Sequence, residues 1–506
     1  MPIAWFRNDP EAKHVDAPSR VTAHKARGPG KTDFDLGKLP VQKVWPQASE
    51  EFLTWQCREA LLRSLDAWEM IAGPLQHWYG GAQRKKLRVD VDAGEDINAY
   101  YDRASLGFFH FTSSRDGRLR RFAASTDVVA HEAGHAFLDV LRPALWDSNF
   151  PEPNAFHEAF GDCIAILTAL ADTAQRKAIL DGDAALSKAN DVETLMESLA
   201  NAVRDEAPKS VAAEPRRGRN TYQWVLPTTL PDRGGPGDLV NEVHSFGQVF
   251  VGCFYDVVRN VHAMAGTPNS GSLRKAAEVA GTLLVRAAAK APHLPRFFQA
   301  IGRAMVLEDE ALHRGKHRDA IGAAFGAHGI LLGSNAAIAP RSALRGKPVA
   351  PAARTVARTT LDDLKERMNL PSATPLTLRS YDIGGRPVVE ACHVRPVALD
   401  GLASGLKGVV AYGTEPALIG TANRRPAVLG ALPDARATED EVRAYVAGLV
   451  ERGAIVYAGP AKGKSRGRSG AIATISARTP THVVVSERGQ RVLKRIRYAC
   501  NCGGRR

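Results

Sequence analysis

The chain has no unbroken run of about 18 apolar residues, so no membrane-spanning helix is expected. It is also poor in cysteine. Its six cysteines are scattered, and Cys163 and Cys253 fall on apolar helical stretches where free thiols pack well. That excludes a disulfide framework and points to a reducing, cytoplasmic compartment. The first ten residues, Met1 to Pro10, lack the continuous apolar stretch of a secretory signal. Aromatics make up 7% of the chain and are nearly absent around its most basic stretches, which argues against a surface that reads bases by stacking.

Charge is present but unevenly placed. Residues 336–506 hold 28 Lys and Arg against 13 Asp and Glu, a net +15, while the first 335 residues come to −2. Residues 333–360 alternate Ala, Pro, Arg and Ser and read as a linker. Residues 1–50, rich in Pro, Gly and charge, read as an irregular arm. A helical apolar pattern over 51–79 (Leu53, Trp55, Leu61, Leu65, Trp68) is broken by Gly80-Gly81 and followed by strand-like 87–91. Residues 361–506 suggest a small basic α+β domain, with hairpins over 381–390 and 482–493 and a helix over 438–452 N-capped by Thr438. Its loop Lys462 to Arg468 and the strand Lys494-Arg495-Ile496-Arg497 would meet a polyanion weakly, a solvated basic surface being the plainer reading. Cys392-His393 with Cys500-Asn501-Cys502 forms a candidate second metal site whose spacing matches no common zinc module.

The richest chemistry lies in His131-Glu132-Ala133-Gly134-His135. Histidines four apart on a helix share one face, so both rings can reach a single ion, and the intervening glutamate can act on the ion's water as general base. Ser125 offers an N-cap and Asp127 a first-turn acid, followed by apolar residues, as in a buried helix. Downstream, Pro151 to Leu167 reads as a second apolar helix interrupted by His157, Glu158 and Asp162. Glu158 and Asp162 share a face, and two acids on an apolar helix need a partner or a cation. Glu158 on a zinc ion, with Asp162 accepting the second ring N–H of a ligand histidine, would satisfy both.

Asp127-Val128-Val129-Ala130-His131-Glu132-Ala133-Gly134-His135, followed by His157-Glu158-Ala159-Phe160-Gly161-Asp162, resembles the thermolysin-like metallopeptidases, the gluzincin group of zincins. Asp96-Ile97-Asn98-Ala99-Tyr100-Tyr101 is similar to their Asn-Ala-aromatic edge strand, and 241–250 to their segment bearing a catalytic histidine. Residues 246–264, 272–290, 293–307 and 319–330 match their helical end, so the resemblance covers roughly 90–332. It implies an α+β fold: a mixed N-terminal lobe with an edge strand and a helical lobe within 51–332, beside the small C-terminal domain.

It also implies roles. One zinc ion per chain would be held by His131, His135 and Glu158, with Glu132 as base, Asp162 behind His131, and His244 on the oxyanion. Asn98 and Ala99 would hold an extended peptide or protein substrate by strand addition. His157 stands where the family has asparagine, and Trp146 near its oxyanion tyrosine, with Tyr222 a possible substitute. The acid orienting His244 is Asp238 or Glu242, and the substrate-gripping arginine is Arg216, Arg217 or Arg219, with Arg219 carried forward. Asp127 matches a calcium ligand, but the second-helix position is Ala169, so no calcium site is expected there. The expected activity is zinc endopeptidase. The competing expectation is a weakly active or inactive zinc-binding protein that works as a binding module through its basic C-terminal domain. An aminopeptidase is disfavoured by the absence of any Gly-x-Met-Glu-Asn string.

Overall fold

The computed structural model describes residues 1–15, 17–333, 356–383, 386–422, 425–429, 432–457 and 480–500. Among them, no helix is long and apolar enough to cross a membrane.

The first 50 residues are not an irregular arm. Strands β1 (Pro2–Trp5) and β2 (Ser19–Thr22) pair antiparallel with Ile3 opposite Val21, and β3 (Asp33–Asp35) joins a larger sheet. Each strand is only three or four residues long, too short for alternation to stand out against Pro, Gly and charge. Their apolar side chains lie on α1 (Glu50–Ala72): Ile3 packs with Trp55, and Ala4 and Phe6 pack with Phe52. Ser49 caps α1 by accepting from the Phe52 N–H, Glu50 and Glu51 occupy the positive first turn, and Gly73 ends it at φ +80°. His24 ties this region to α1, its Nδ1 2.9 Å from Glu59 Oε1 and its Nε2 2.9 Å from Asp66 Oδ2.

Strands β4 (Lys86–Asp90), β5 (Ala99–Tyr101) and β6 (Ser105–Phe108) continue the larger sheet. β4 runs parallel to both β3 and β6, and β5 lies antiparallel to β6. A small hairpin of β7 (His110–Thr112) and β8 (Leu119–Arg121) leads to α2 (Thr126–Leu141). Ser125 caps α2 as its sequence suggests, accepting from the Val128 N–H. α3 (Pro151–Ala171) has prolines in its first turn, where a missing N–H costs nothing, and is buried through Leu170. Then follow α4 (Thr173–Gly182), capped by Asp172, β9 (Thr194–Leu195), α5 (Glu197–Glu206) and β10 (Arg216–Arg217), which pairs back to β9. The helices α6 (Val243–Ala263), α7 (Ser270–Lys290), α8 (Phe297–His313) and α9 (Arg318–Ala327) complete this part. Phe156 meets Phe250 and Phe297 edge-on, and Phe246 stacks on Phe298, binding α3, α6 and α8.

α2 and α3 cross where neither has a side chain: a Cβ on Gly134 would stand 2.8 Å from the Gly161 Cα. α6 also presses on α3, where a Cβ on Gly247 would stand 2.8 Å from the Ala155 carbonyl oxygen.

Most of the stretch read as a linker lies outside the described residues, and its last three residues already belong to α10 (Arg358–Arg367). Beyond it come β11 (Thr377–Ile383), β12 (Arg386–Ala398), β13 (Val409–Ala422), β14 (Arg425–Leu429), α11 (Ala435–Glu451), β15 (Ile455–Val456), β16 (His482–Glu487), β17 (Gln490–Arg495) and β18 (Tyr498–Ala499). Both expected hairpins are present, β11–β12 and β16–β17. Seven strands form one sheet in the order β11-β12-β13-β17-β16-β15, with β14 also on β13. α11 starts three residues before the expected helix. Asp434 Oδ1 caps it through the Ala437 N–H at 2.8 Å, while Thr438 is buried against β13, where a Cβ on Gly413 would stand 2.6 Å from its methyl. A cap carboxylate suits the positive helix end better than a hydroxyl.

This unit is fastened to the helical part. Phe150 packs among Val397, Leu399, Val442 and Tyr445, and Arg296 pairs with both Glu152 and Glu441. β18 leaves its own sheet and joins the other, at the free edge of β5.

The carboxylates around His24 raise its pKa to about 9, through its hydrogen bonds to Asp66 and Glu59. A histidine raised in the folded state stabilises fully below its unfolded pKa, near 6.5, and loses that contribution as pH rises through the folded value. His24→Gln should therefore lower the unfolding temperature most below pH 6.5. The difference from wild type should shrink to nothing as pH passes 9; a gap independent of pH in thermal melts would remove this account.

Candidate metal centre

The helix crossing brings the two acidic and histidine-bearing faces together. His131, Glu132 and His135 lie within reach of one ion, wholly buried. From α3, Glu158 places Oε2 3.3 Å from His131 Nε2 and 3.5 Å from His135 Nε2. Neither of those ring nitrogens makes a hydrogen bond.

The other edge of each ring explains why. His131 Nδ1 is 2.7 Å from Asp162 Oδ1, which turns Nε2 toward the Glu158 carboxylate; burial would lower the ring's pKa, but the Asp162 and Glu158 carboxylates raise it. Burial would raise Asp162, but the Arg216 guanidinium and the His131 ring hold it below its ordinary range. His135 Nδ1 is 2.8 Å from His157 Nδ1. Burial, together with the neighbouring His135 ring, pushes His157 well below its usual pKa, so it is neutral and can accept the His135 proton. Two ring nitrogens and a carboxylate oxygen thus converge in a dry interior, a group that could hold a metal ion between them. This donor set, two imidazoles and one carboxylate, fits zinc. The same residues also suit other divalent first-row metals.

Glu132 is fully buried, and burial raises its pKa. Its Oε1 accepts the Cys500 thiol at 2.9 Å, and its Oε2 makes no hydrogen bond. On α6, His244 lies with Nε2 2.9 Å from Glu158 Oε2 and Nδ1 2.7 Å from Glu242 Oε1. Of the two candidate acids, Glu242 therefore contacts the ring, while Asp238 accepts from the Gly235 N–H. Glu242 also caps α6 through the His244 and Ser245 N–H groups. Burial would raise it, but the His244 ring holds it down to about 2.

Arg216, not Arg219, enters the site: its guanidinium donates to Asp162 Oδ1 at 3.0 Å. Arg219 is exposed, its backbone N–H held by Glu193, and Arg217 lies near Glu193 at 3.9 Å. Sequence could not separate three arginines within four residues. Only the two-residue pairing of β10 with β9 fixes which one turns inward.

Asn98 and Ala99 are fully buried at the end and start of the β5 edge, and Asn98 Oδ1 makes no hydrogen bond. Trp146 is also buried, but its indole N–H donates to the Arg495 carbonyl at 3.3 Å. The Tyr222 hydroxyl donates to the Gly237 carbonyl, so it is engaged away from the ligands. Asp127 faces Asp9 and Glu197 rather than Ala169, in a second buried acidic group where burial, then Asp127, pushes Asp9 up to about 7.

Cys392 and Cys500 do not share a site. The Cys392 thiol donates to the His393 carbonyl, whereas Cys500 sits on Glu132; Asn501 and Cys502 lie outside the described residues. None of the five described cysteines is in a disulfide. Of the basic segments, Lys462 to Arg468 lies outside the described residues. Arg495 is not available to a polyanion: it donates to Asn154 Oδ1, the Tyr445 hydroxyl and the Trp146 carbonyl.

No protein-family profile matches the chain, and no curated protein matches it.

A Cβ on Gly161 would stand 2.6 Å from His131 Nδ1. Gly161→Ala should push that ring off Asp162, costing about 1–3 kcal/mol of stability, and lower bound metal in elemental analysis. His157→Asn, which keeps an acceptor for His135, should retain metal. Full metal content in Gly161→Ala would show that the crossing does not position His131.

Proposed function

We propose that this protein is a zinc-dependent endopeptidase with a thermolysin-like arrangement over roughly 90–332. The observation that carries the reading is the convergence of His131 Nε2, His135 Nε2 and Glu158 Oε2 beside a buried Glu132. Zinc bound there would lower the pKa of a water and polarise the scissile carbonyl.

The chain's own residues supply the rest. Glu132 takes a proton from the attacking water and returns it to the leaving nitrogen; its raised pKa suits both transfers. His244, held by Glu242 at Nδ1, presents Nε2 to the developing oxyanion. Arg216 steadies Asp162, and through it the His131 ring. With β18 displaced, the edge of β5 would offer backbone groups for an extended peptide, as strand addition requires. Met196 and Leu199 line a small cleft that also reaches Arg216 and His244.

The alternative, a zinc-binding protein with little activity acting through its C-terminal unit, has one observation in its favour: residues of that unit lie on the β5 edge and on Glu132.

Purified protein should carry about one zinc per chain, lost in His131→Ala and in Glu158→Ala. Glu132→Gln should keep zinc and fold yet cleave a broad peptide library slower by roughly a thousandfold or more. Zinc retained in both ligand variants would overturn the site. Equal cleavage by wild type and Glu132→Gln would overturn the mechanism.

A further inference from the structure

The edge of β5 is already taken. β18 pairs with it antiparallel, Tyr498 opposite Tyr101 and Ala499 opposite Tyr100, and the Cys500 N–H donates to the Ala99 carbonyl at 3.0 Å. This is the place and hydrogen-bonding mode that the endopeptidase reading gives to a substrate. The next contact falls on the reacting groups: the Cys500 thiol donates to Glu132 Oε1 at 2.9 Å, and sulfur and base are both fully buried. Two residues back, Tyr498 is stacked on His157 at 3.8 Å and on the ligand His135 at 4.9 Å, with its hydroxyl 3.3 Å from Asn154 Oδ1. Arg495 anchors the approach on Asn154 and the Trp146 carbonyl.

Three independent features therefore coincide: backbone pairing on the edge strand, an aromatic ring packed on a metal-ligand histidine, and a thiol on the general base. An ordinary structural strand needs only the first. The thiol takes up one oxygen of Glu132, and the pairing takes up the Ala99 carbonyl that another chain would use. The segment also enters from a folded unit fastened elsewhere, so its effective concentration at the groove is high without great intrinsic affinity.

We propose that residues 498–500 are a tethered occupant of the substrate groove, with Cys500 seated on Glu132, and that they hold the site closed to peptides until displaced. This rests on the endopeptidase reading for what the groove binds, but the occupancy itself can be tested without catalysis.

The test uses the full chain and two variants, Cys500→Ala and the double variant Tyr498→Ala/Cys500→Pro. The first removes only the thiol; the second also removes the stacked ring and the N–H that reaches Ala99. A fluorescein-labelled peptide of residues 495–500 is titrated into each metal-free protein and followed by anisotropy. It should bind the double variant about tenfold or more tighter than wild type, and Cys500→Ala a few-fold tighter. In the zinc-loaded proteins, kcat/KM on a peptide library should rise in the same order. Should the double variant not fold, as judged by its melt and zinc content, Cys500→Ala decides alone.

Equal peptide binding by wild type and variants, with equal cleavage, overturns the occupancy while leaving the peptidase reading intact. Tighter binding by the variants with no cleavage by any protein supports the occupancy and overturns the peptidase reading.

Discussion

The site depends on how closely two helices approach. Gly134 and Gly161 leave no side chain between α2 and α3, and that spacing sets the reach between the imidazoles of one helix and the carboxylates of the other. Side chains of ordinary size at this crossing would hold the axes roughly 8–10 Å apart or more, and Glu158 would no longer meet both His131 and His135. The same absence of atoms admits the His131 ring, since a methyl on Gly161 would collide with it. A backbone feature thus carries a chemical consequence. The two glycines keep the helices close, and closeness brings the two ring nitrogens and the Glu158 carboxylate together as a group that could hold a metal ion.

Burying so many polar groups in one place is costly unless each is answered. Here the answers form chains. Arg216 neutralises Asp162, Asp162 orients His131, Glu242 orients His244, and neutral His157 orients His135. Among the buried atoms without hydrogen bonds, His131 Nε2, His135 Nε2 and Glu132 Oε2 lie where these chains point.

Much of this was legible in the sequence, for identifiable reasons. The long elements α1, α2, α3 and α6 to α9 each span several helical turns, enough for apolar periodicity, and for α2 the Ser125 cap, to mark them. The spacings from His131 to His135 and from Glu158 to Asp162 are local, so helical geometry alone placed them on shared faces. What escaped was set by long-range contact. β1, β2 and β3 are too short to show a period, and the choice of Arg216 rests on a two-residue pairing. The purpose of Trp146 became visible only with Arg495 and Tyr498 beside it, some 350 residues along the chain. No local pattern could place Cys500 against Glu132, because a two-residue strand carries no periodicity and its partner lies in another sheet.

The C-terminal unit then changes its meaning. Its charge suggested a separate basic module, yet Arg495 and Arg296, two of the cations at its boundary, are spent on contacts that fasten it to the helical part. The short segment after β17 crosses to β5 and brings Tyr498 and Cys500 to the candidate metal centre. His157 lies directly beneath Tyr498 of that segment. An imidazole there does two things an asparagine amide would not do equally: it accepts from His135 while offering a flat aromatic face for Tyr498 to cover. The imidazole at 157 and the strand at 498–499 therefore fit one another, and the unit that looked appended packs against the candidate metal centre.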